Sequence, residues 1–204
     1  MPFLGRRHRR THLRNGRYFT HRNIIIESAL NIAKAMNKPV SASITGGWNI
    51  ATLDSTELYD PSTDNWTTAN SMSIARYQHT ATMLSNGKVL VTGGAYTSVV
   101  YLNTAEVYDP FTGNWTTANS MSIARYQHTA TMLSNGKVLI TGGWNDGGSV
   151  NGAEIYDPST DSWTPANNMS ISRYQHTATM LSSGKVLVTG GQNGGYLTSA
   201  ESYE

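Results

Sequence analysis

The chain contains no cysteine and only three phenylalanines among its 204 residues. Without cysteine there can be no disulfide, no thiolate zinc site, no iron–sulfur cluster and no thiol nucleophile. The redox compartment stays open on that ground. Charged residues make up only 14% of the chain. No apolar run approaches the roughly 20 residues that a membrane-spanning helix needs. No P-loop, nucleophile elbow or HExxH stretch occurs. The formal net charge of +2 hides a division. Residues 1–40 hold nine of the fifteen Lys and Arg and one acid, Glu27, giving +8. Residues 41–204 hold six basic and twelve acidic residues, giving −6.

What the chain does have is repetition. The doublets Gly46-Gly47, Gly93-Gly94, Gly142-Gly143 and Gly190-Gly191 recur at spacings of 47, 49 and 48 residues. Residues 65–90 are identical to residues 114–139, and residues 162–187 are a third, slightly altered copy. Units rich in Gly, Thr, Ser and β-branched residues are poor helix formers and good strand formers. One unit reads as four short strands. Residues 77–84 (YQHTATML) alternate, and Asn86-Gly87 is a two-residue hairpin signal. Residues 88–92 (KVLVT) form a continuous apolar run, as a strand covered on both faces requires. The Gly pair ends that strand. Residues 104–108 (TAEVY) are the third strand, and Trp115 opens the fourth. Asn135-Gly136 and Ser183-Gly184 repeat the hairpin.

Run, doublet and aromatic spacing together resemble the kelch repeat. Six residues separate Tyr59 from Trp66, Tyr108 from Trp115 and Tyr156 from Trp163. The fourth unit carries Gly190-Gly191 and Tyr203. A period near 48 also fits kelch units better than WD units. The resemblance covers about residues 41–204. It implies an all-β propeller of four-stranded antiparallel blades, about 3.5 of them here. The repeats divide as residues 41–75 (partial), 76–124, 125–172 and 173–204 (partial). Three readings follow from fourteen strands: a piece of a longer kelch protein, a small closed ring, or a ring completed by self-association through the unfinished end blades. Kelch propellers usually bind proteins, so the resemblance implies a binding module. The alternatives are a carbohydrate-active or oxidase-like enzyme on the same fold, or a non-functional or incomplete fragment of a longer kelch protein. Galactose oxidase-like chemistry needs a Tyr–Cys cross-link, which this composition excludes.

Residues 1–23 read as a basic disordered arm with no apolar core for a secretory signal. The compartment stays undetermined; the cytoplasm is favoured, and mitochondrial or nuclear targeting by the arm stays open. A phosphate-binding role for Arg6, Arg7, Arg9 and Arg10 is a weak signal, and nucleic acid is not an expected partner. Residues 24–40 read as a helix or a degenerate first strand.

No cofactor, metal or catalytic set is expected. His79, His128 and His176 recur in Tyr-Gln-His, but equivalent residues on packed sheets about 10 Å apart would struggle to share a metal. Glu57, Glu106, Glu154 and Glu201 sit two residues before each motif Tyr. A carboxylate copied into every blade is expected to make a structural contact, an ion pair with the recurrent arginines being one form of it. Arg76, Arg125 and Arg173 recur at the blade entry; a structural salt bridge competes with a ring of Arg for an acidic partner. The loops after the Gly pairs differ while their flanking strands are near copies. In an up-and-down blade those loops share one face with the Arg segments. Binding residues sit most often on loops held by a rigid scaffold. The expected partner-binding residues are therefore Trp48, Arg76, Tyr96, Tyr101, Arg125, Trp144, Asn145, Asp146, Arg173 and Tyr196. The partner would be a protein or peptide.

Overall fold

The computed structural model describes residues 42–48 and 51–204. The expectations for residues 1–23 and 24–40 lie outside what it describes, and for Trp48 only the backbone is given.

The first sheet consists of β1 (Ala42–Trp48), β2 (Thr52–Asp60) and β3 (Asn65–Ala69), in that order. The second has β4 (Thr80–Met83) and β5 (Val89–Thr92), then a two-stranded flap of β6 (Ala95–Thr97) and β7 (Val100–Tyr101), then β8 (Ala105–Asp109) and β9 (Asn114–Ala118). The third repeats it: β10 (Thr129–Met132), β11 (Val138–Thr141), the flap β12 (Trp144–Asn145) and β13 (Gly148–Ser149), β14 (Ala153–Asp157) and β15 (Ser162–Ala166). The fourth is β16 (Thr177–Met180), β17 (Val186–Thr189) and β18 (Ala200–Tyr203). Sheets two and three are four-stranded, in the orders β4-β5-β8-β9 and β10-β11-β14-β15, and every pairing is antiparallel.

The apolar runs explain how these sheets stack. A strand points successive side chains to opposite faces. In β5, Val89 and Val91 therefore face the first sheet, packing with Leu58, Ala69 and Met72. Leu90 faces the third sheet, packing with Val138, Ile140, Met121 and Tyr156. In β11, Leu139 faces the fourth sheet, against Val186, Val188 and Met169. β5 and β11 are thus each the middle layer between two cores.

Three local expectations are corrected. The first strand is shorter than residues 77–84, because Gln78, Gln127 and Gln175 take left-handed φ values of 52°, 55° and 53° and break the strand ahead of it. In the first sheet β1 runs through Gly46-Gly47 with a bulge between Thr45 and Gly47, where the other doublets end their strands. The tryptophans, expected to supply apolar area between blades, do so only in part: Trp115 and Trp163 pack against the cores between sheets. Trp66 is 41% exposed, and Trp115 and Trp163 are half-buried. They lie on the outermost strand, where no further strand covers them. Each still tilts onto its motif tyrosine with ring centroids 4.9–5.1 Å apart. Trp115 and Trp163 donate their indole N–H to the carbonyls of Asn70 and Asn119 in the segment entering their sheet.

Candidate functional site: the loop face

Antiparallel order puts the segments after the second and fourth strands at one end of each sheet. The recurrent arginines lie at that end, but they do not face a partner. Arg76, Arg125 and Arg173 are fully buried. Arg76 pairs with Glu106 at 2.8 Å, Arg125 with Glu154 at 2.8 Å and Arg173 with Glu201 at 2.7 Å. Each guanidinium also donates to a Gly-pair carbonyl, those of Gly93, Gly142 and Gly190, all at 2.8 Å. Each carboxylate accepts the amide and hydroxyl of a serine on the entry segment, Ser73, Ser122 or Ser170. A buried charge must be paired and hydrogen-bonded to persist, and these are. Burial opposes the ionisation of Glu106, yet the Ser73 amide and hydroxyl and then Arg76 hold its pKa below the usual value. Glu201 follows the same pattern, with Ser170 and Arg173 outweighing burial and holding it at about 2. The ring of arginines open to an acidic peptide is thereby corrected: their terminal guanidinium nitrogens bond inside the blades.

The histidines are also internal. His128 Nε2 lies 2.9 Å from Thr80 Oγ1 and 3.0 Å from Thr92 Oγ1, across the gap to the preceding sheet. His176 Nε2 meets Thr129 and Thr141 at 3.0 and 3.1 Å. Both imidazoles are pushed below their ordinary pKa by burial first and by the adjacent Arg125 or Arg173 second, His176 to about 4. Among the described residues no group of three or more His, Asp or Glu could hold a metal. The threonine pair that receives each histidine was not singled out in the sequence. Its signal was there, in the copied Thr of YQHT and of KVLVT.

The variable residues divide into two kinds. Tyr101 stacks on Tyr126, with centroids 5.0 Å apart and 8° between planes, and its hydroxyl donates to the Ser98 carbonyl. Trp144 meets Tyr174 edge-on at 5.0 Å. Asn145 is tied at both ends of its amide, donating to the Ala124 carbonyl and accepting from the Gly147 amide. These three act first as braces between a flap and the neighbouring entry segment. Asp146 is exposed at a flap tip. Tyr96 and Tyr196 are 50% and 89% exposed. The three left-handed glutamines form a backbone ladder on the same face. The Gln127 amide donates to the Gln78 carbonyl and the Gln175 amide to the Gln127 carbonyl, at 3.1 and 3.0 Å.

Sequence reasoning missed the valines of the β6–β7 turn. Val99 is 72% and Val100 44% exposed, beside Tyr96. Tyr96 and Val100 line a groove with Leu102, Ser73, Ile74, Ala75 and the exposed acid Asp54 of the first sheet. The Thr52 hydroxyl donates to the Tyr96 carbonyl and joins the groove's two sides.

Comparison with protein-family models matches residues 34–203 to the KLHDC2/KLHL20/DRC7 Kelch-repeats domain. No curated protein matches the chain.

Proposed function

The chain belongs to the kelch-repeat family, and from that premise we propose that it is a binding module, not an enzyme, which takes a protein or peptide segment on its loop face. Kelch domains commonly mediate protein binding, and the groove beside the β6–β7 flap is the place in this chain best suited to it. The observation that carries the reading is the joint exposure of Tyr96 and Val100, which line a groove, and of Val99 next to Val100 in the chain. Single exposed apolar residues are ordinary, whereas contiguous ones rimmed by polar groups mark interaction sites. Asp54 adds a carboxylate at the groove, within a repeat region of net charge −6. The complementary ligand is an extended segment with an apolar side chain next to a Lys or Arg. Against catalysis stands the role of the recurrent acids: Glu106 and Glu154 are each neutralised by an arginine. The exposed acids Asp54 and Asp146 belong to different sheets.

A displayed peptide library selected on the full chain tests this. Enriched peptides are expected to share the apolar–basic pattern. The triple variant Tyr96→Ala, Val99→Asp, Val100→Asp is expected to lose their binding. Phe111→Ser, at an exposed turn on the opposite end of the sheets, is expected to keep it. Peptides that bind the triple variant and the parent alike would defeat the proposal.

A further inference from the structure

One aromatic contact in this molecule differs in kind from the rest. The other ring pairs among the described residues join a tyrosine to a tryptophan, at interplanar angles of 40–75°. Tyr101 and Tyr126 pair two phenols, with 5.0 Å between centroids and 8° between planes. Backbone contacts hold the pair in register. Tyr101 ends the β6–β7 flap, and Tyr126 lies on the segment entering the third sheet. The Arg125 amide donates to the Leu102 carbonyl at 3.1 Å, so the residues next to both tyrosines are bonded to each other. The Leu102 amide donates to the Gly94 carbonyl at 2.9 Å. Tyr126 and Trp144 exchange amide and carbonyl bonds at 3.1 and 2.9 Å. Both rings thus rise from pinned backbone, and both are half-buried, within reach of solvent.

Two more phenols lie close by. Burial first, and then Tyr101, Tyr77 and Tyr174, raise the pKa of Tyr126. Burial and then Tyr101 raise that of Tyr77. An oxidising equivalent that lands on any of these four rings therefore has another phenol near it from which to draw an electron. The chain has no cysteine, so no thiol competes as reductant. Tyr96 and Tyr196 are more exposed, at 50% and 89%. Neither stacks on another tyrosine among the described residues, so a radical formed there has no phenol ring held against it.

We propose that Tyr101 and Tyr126 form an oxidative modification site, at which hydrogen peroxide, acting through a haem peroxidase, joins the two rings by a carbon–carbon bond. Each phenol gives up one electron and its hydroxyl proton. The two tyrosyl radicals couple at carbons ortho to their oxygens. The hydrogen on each coupled carbon then moves to the oxygen of its own ring and restores both phenols. The pair has lost two electrons and two protons, which convert one peroxide into two waters. Rings held side by side meet without diffusion, so the coupling is unimolecular. The bond staples the β6–β7 flap, with its Tyr96, Val99 and Val100, to the entry of the third sheet. The cross-link does not depend on what the flap binds.

The test treats the full chain, dilute, with a haem peroxidase and hydrogen peroxide. Dityrosine fluorescence and mass spectrometry of the tryptic digest read the product. Peptides 89–125 and 126–137 are expected to appear joined, two hydrogens lighter than their sum. Residues 77–88 have the same sequence as residues 126–137, so variants assign the copy. Tyr101→Phe and Tyr126→Phe are each expected to lower the yield within single chains about tenfold or more, since each removes the pre-placed partner. Tyr77→Phe and Tyr96→Phe are expected to keep the joined peptides. The cross-linked chain is expected to melt above the unreacted one, because the bridge restricts the unfolded chain between residues 101 and 126. No dityrosine, dityrosine confined to chain dimers, a yield indifferent to both Tyr101→Phe and Tyr126→Phe, or an unchanged melt overturns the proposal.

Discussion

Glu154 accepts from Arg125, from the Ser122 amide and hydroxyl, and weakly from the Ile123 amide at 3.3 Å. Its replacement by Gln would leave the fully buried Arg125 charge uncompensated. Removing one partner of a buried pair costs about 3–5 kcal/mol, so Glu154→Gln is predicted to lower the urea-unfolding free energy by about that amount. A loss below about 1 kcal/mol would mean that the guanidinium finds compensation elsewhere. Glycine gives a sharper contrast. Gly142→Ala must push a backbone carbonyl aside, whereas Gly190→Ala meets, among the described residues, no more than the Leu197 carbonyl at 3.8 Å; both sit at left-handed φ, 62° and 65°, so the backbone cost is common to both. Thermal melts are predicted to rank Gly142→Ala well below Gly190→Ala, and equal losses would contradict the packing described. The recurrence of Arg, Glu and Gly could be read directly in the sequence, and an Arg–Glu contact was one of the readings. Their burial could not, because exposure depends on the neighbouring sheet: Glu106 is 1% exposed, while the side chain of its counterpart Glu201 is 19% exposed.

Between elements, the histidine latch makes cohesion of the sheets depend on pH. An unfolded histidine titrates near about 6.5. His128 and His176 are held below that when folded, His176 at about 4. Below pH of about 6.5 the unfolded chain takes up protons that the folded chain refuses, so stability present above that pH is lost as pH falls to about 4. The unfolding free energy is predicted to drop by about 2–3 kcal/mol from the His176 latch between about pH 7.5 and 4.5, with the His128 latch adding a loss in the same direction. His128→Gln combined with His176→Gln is predicted to flatten the profile; a parent chain with a flat profile would contradict the latch. Glu201 adds a separate loss at lower pH, since its contribution holds above the ordinary carboxylate value and fades toward about 2. The strand pattern itself was legible: alternation, Asn-Gly turns and the covered apolar run placed each blade strand within a few residues. The left-handed glutamines were not. Gln has no special tolerance for that conformation, and the Tyr-Gln-His stretch reads locally as strand.

At the scale of the molecule, near-identical sheets set the frame and dissimilar flaps decorate one end of it. That the dissimilar loops gather on that end was legible because loops varied where strands did not. Which loop residues brace and which reach out was not legible. Tyr101, Trp144 and Asn145 look like free anchors in sequence, yet each is engaged by a neighbour that only the stacking brings near. Val99 and Val100, unremarked in sequence, are the exposed pair.

The central claim is that the repeated residues make the fold and the β6–β7 flap makes the binding site. It is tested most directly by replacing residues 95–102 with the sequence of residues 144–150, keeping Asn103, whose side chain braces Met121 as Asn151 braces Met169. The two flaps rise from equivalent sheets. Measured together, the unfolding free energy is predicted to change by no more than about 1 kcal/mol, while affinity for peptides selected on the parent chain is lost. Unchanged peptide affinity in the stable flap-exchanged chain would contradict the account.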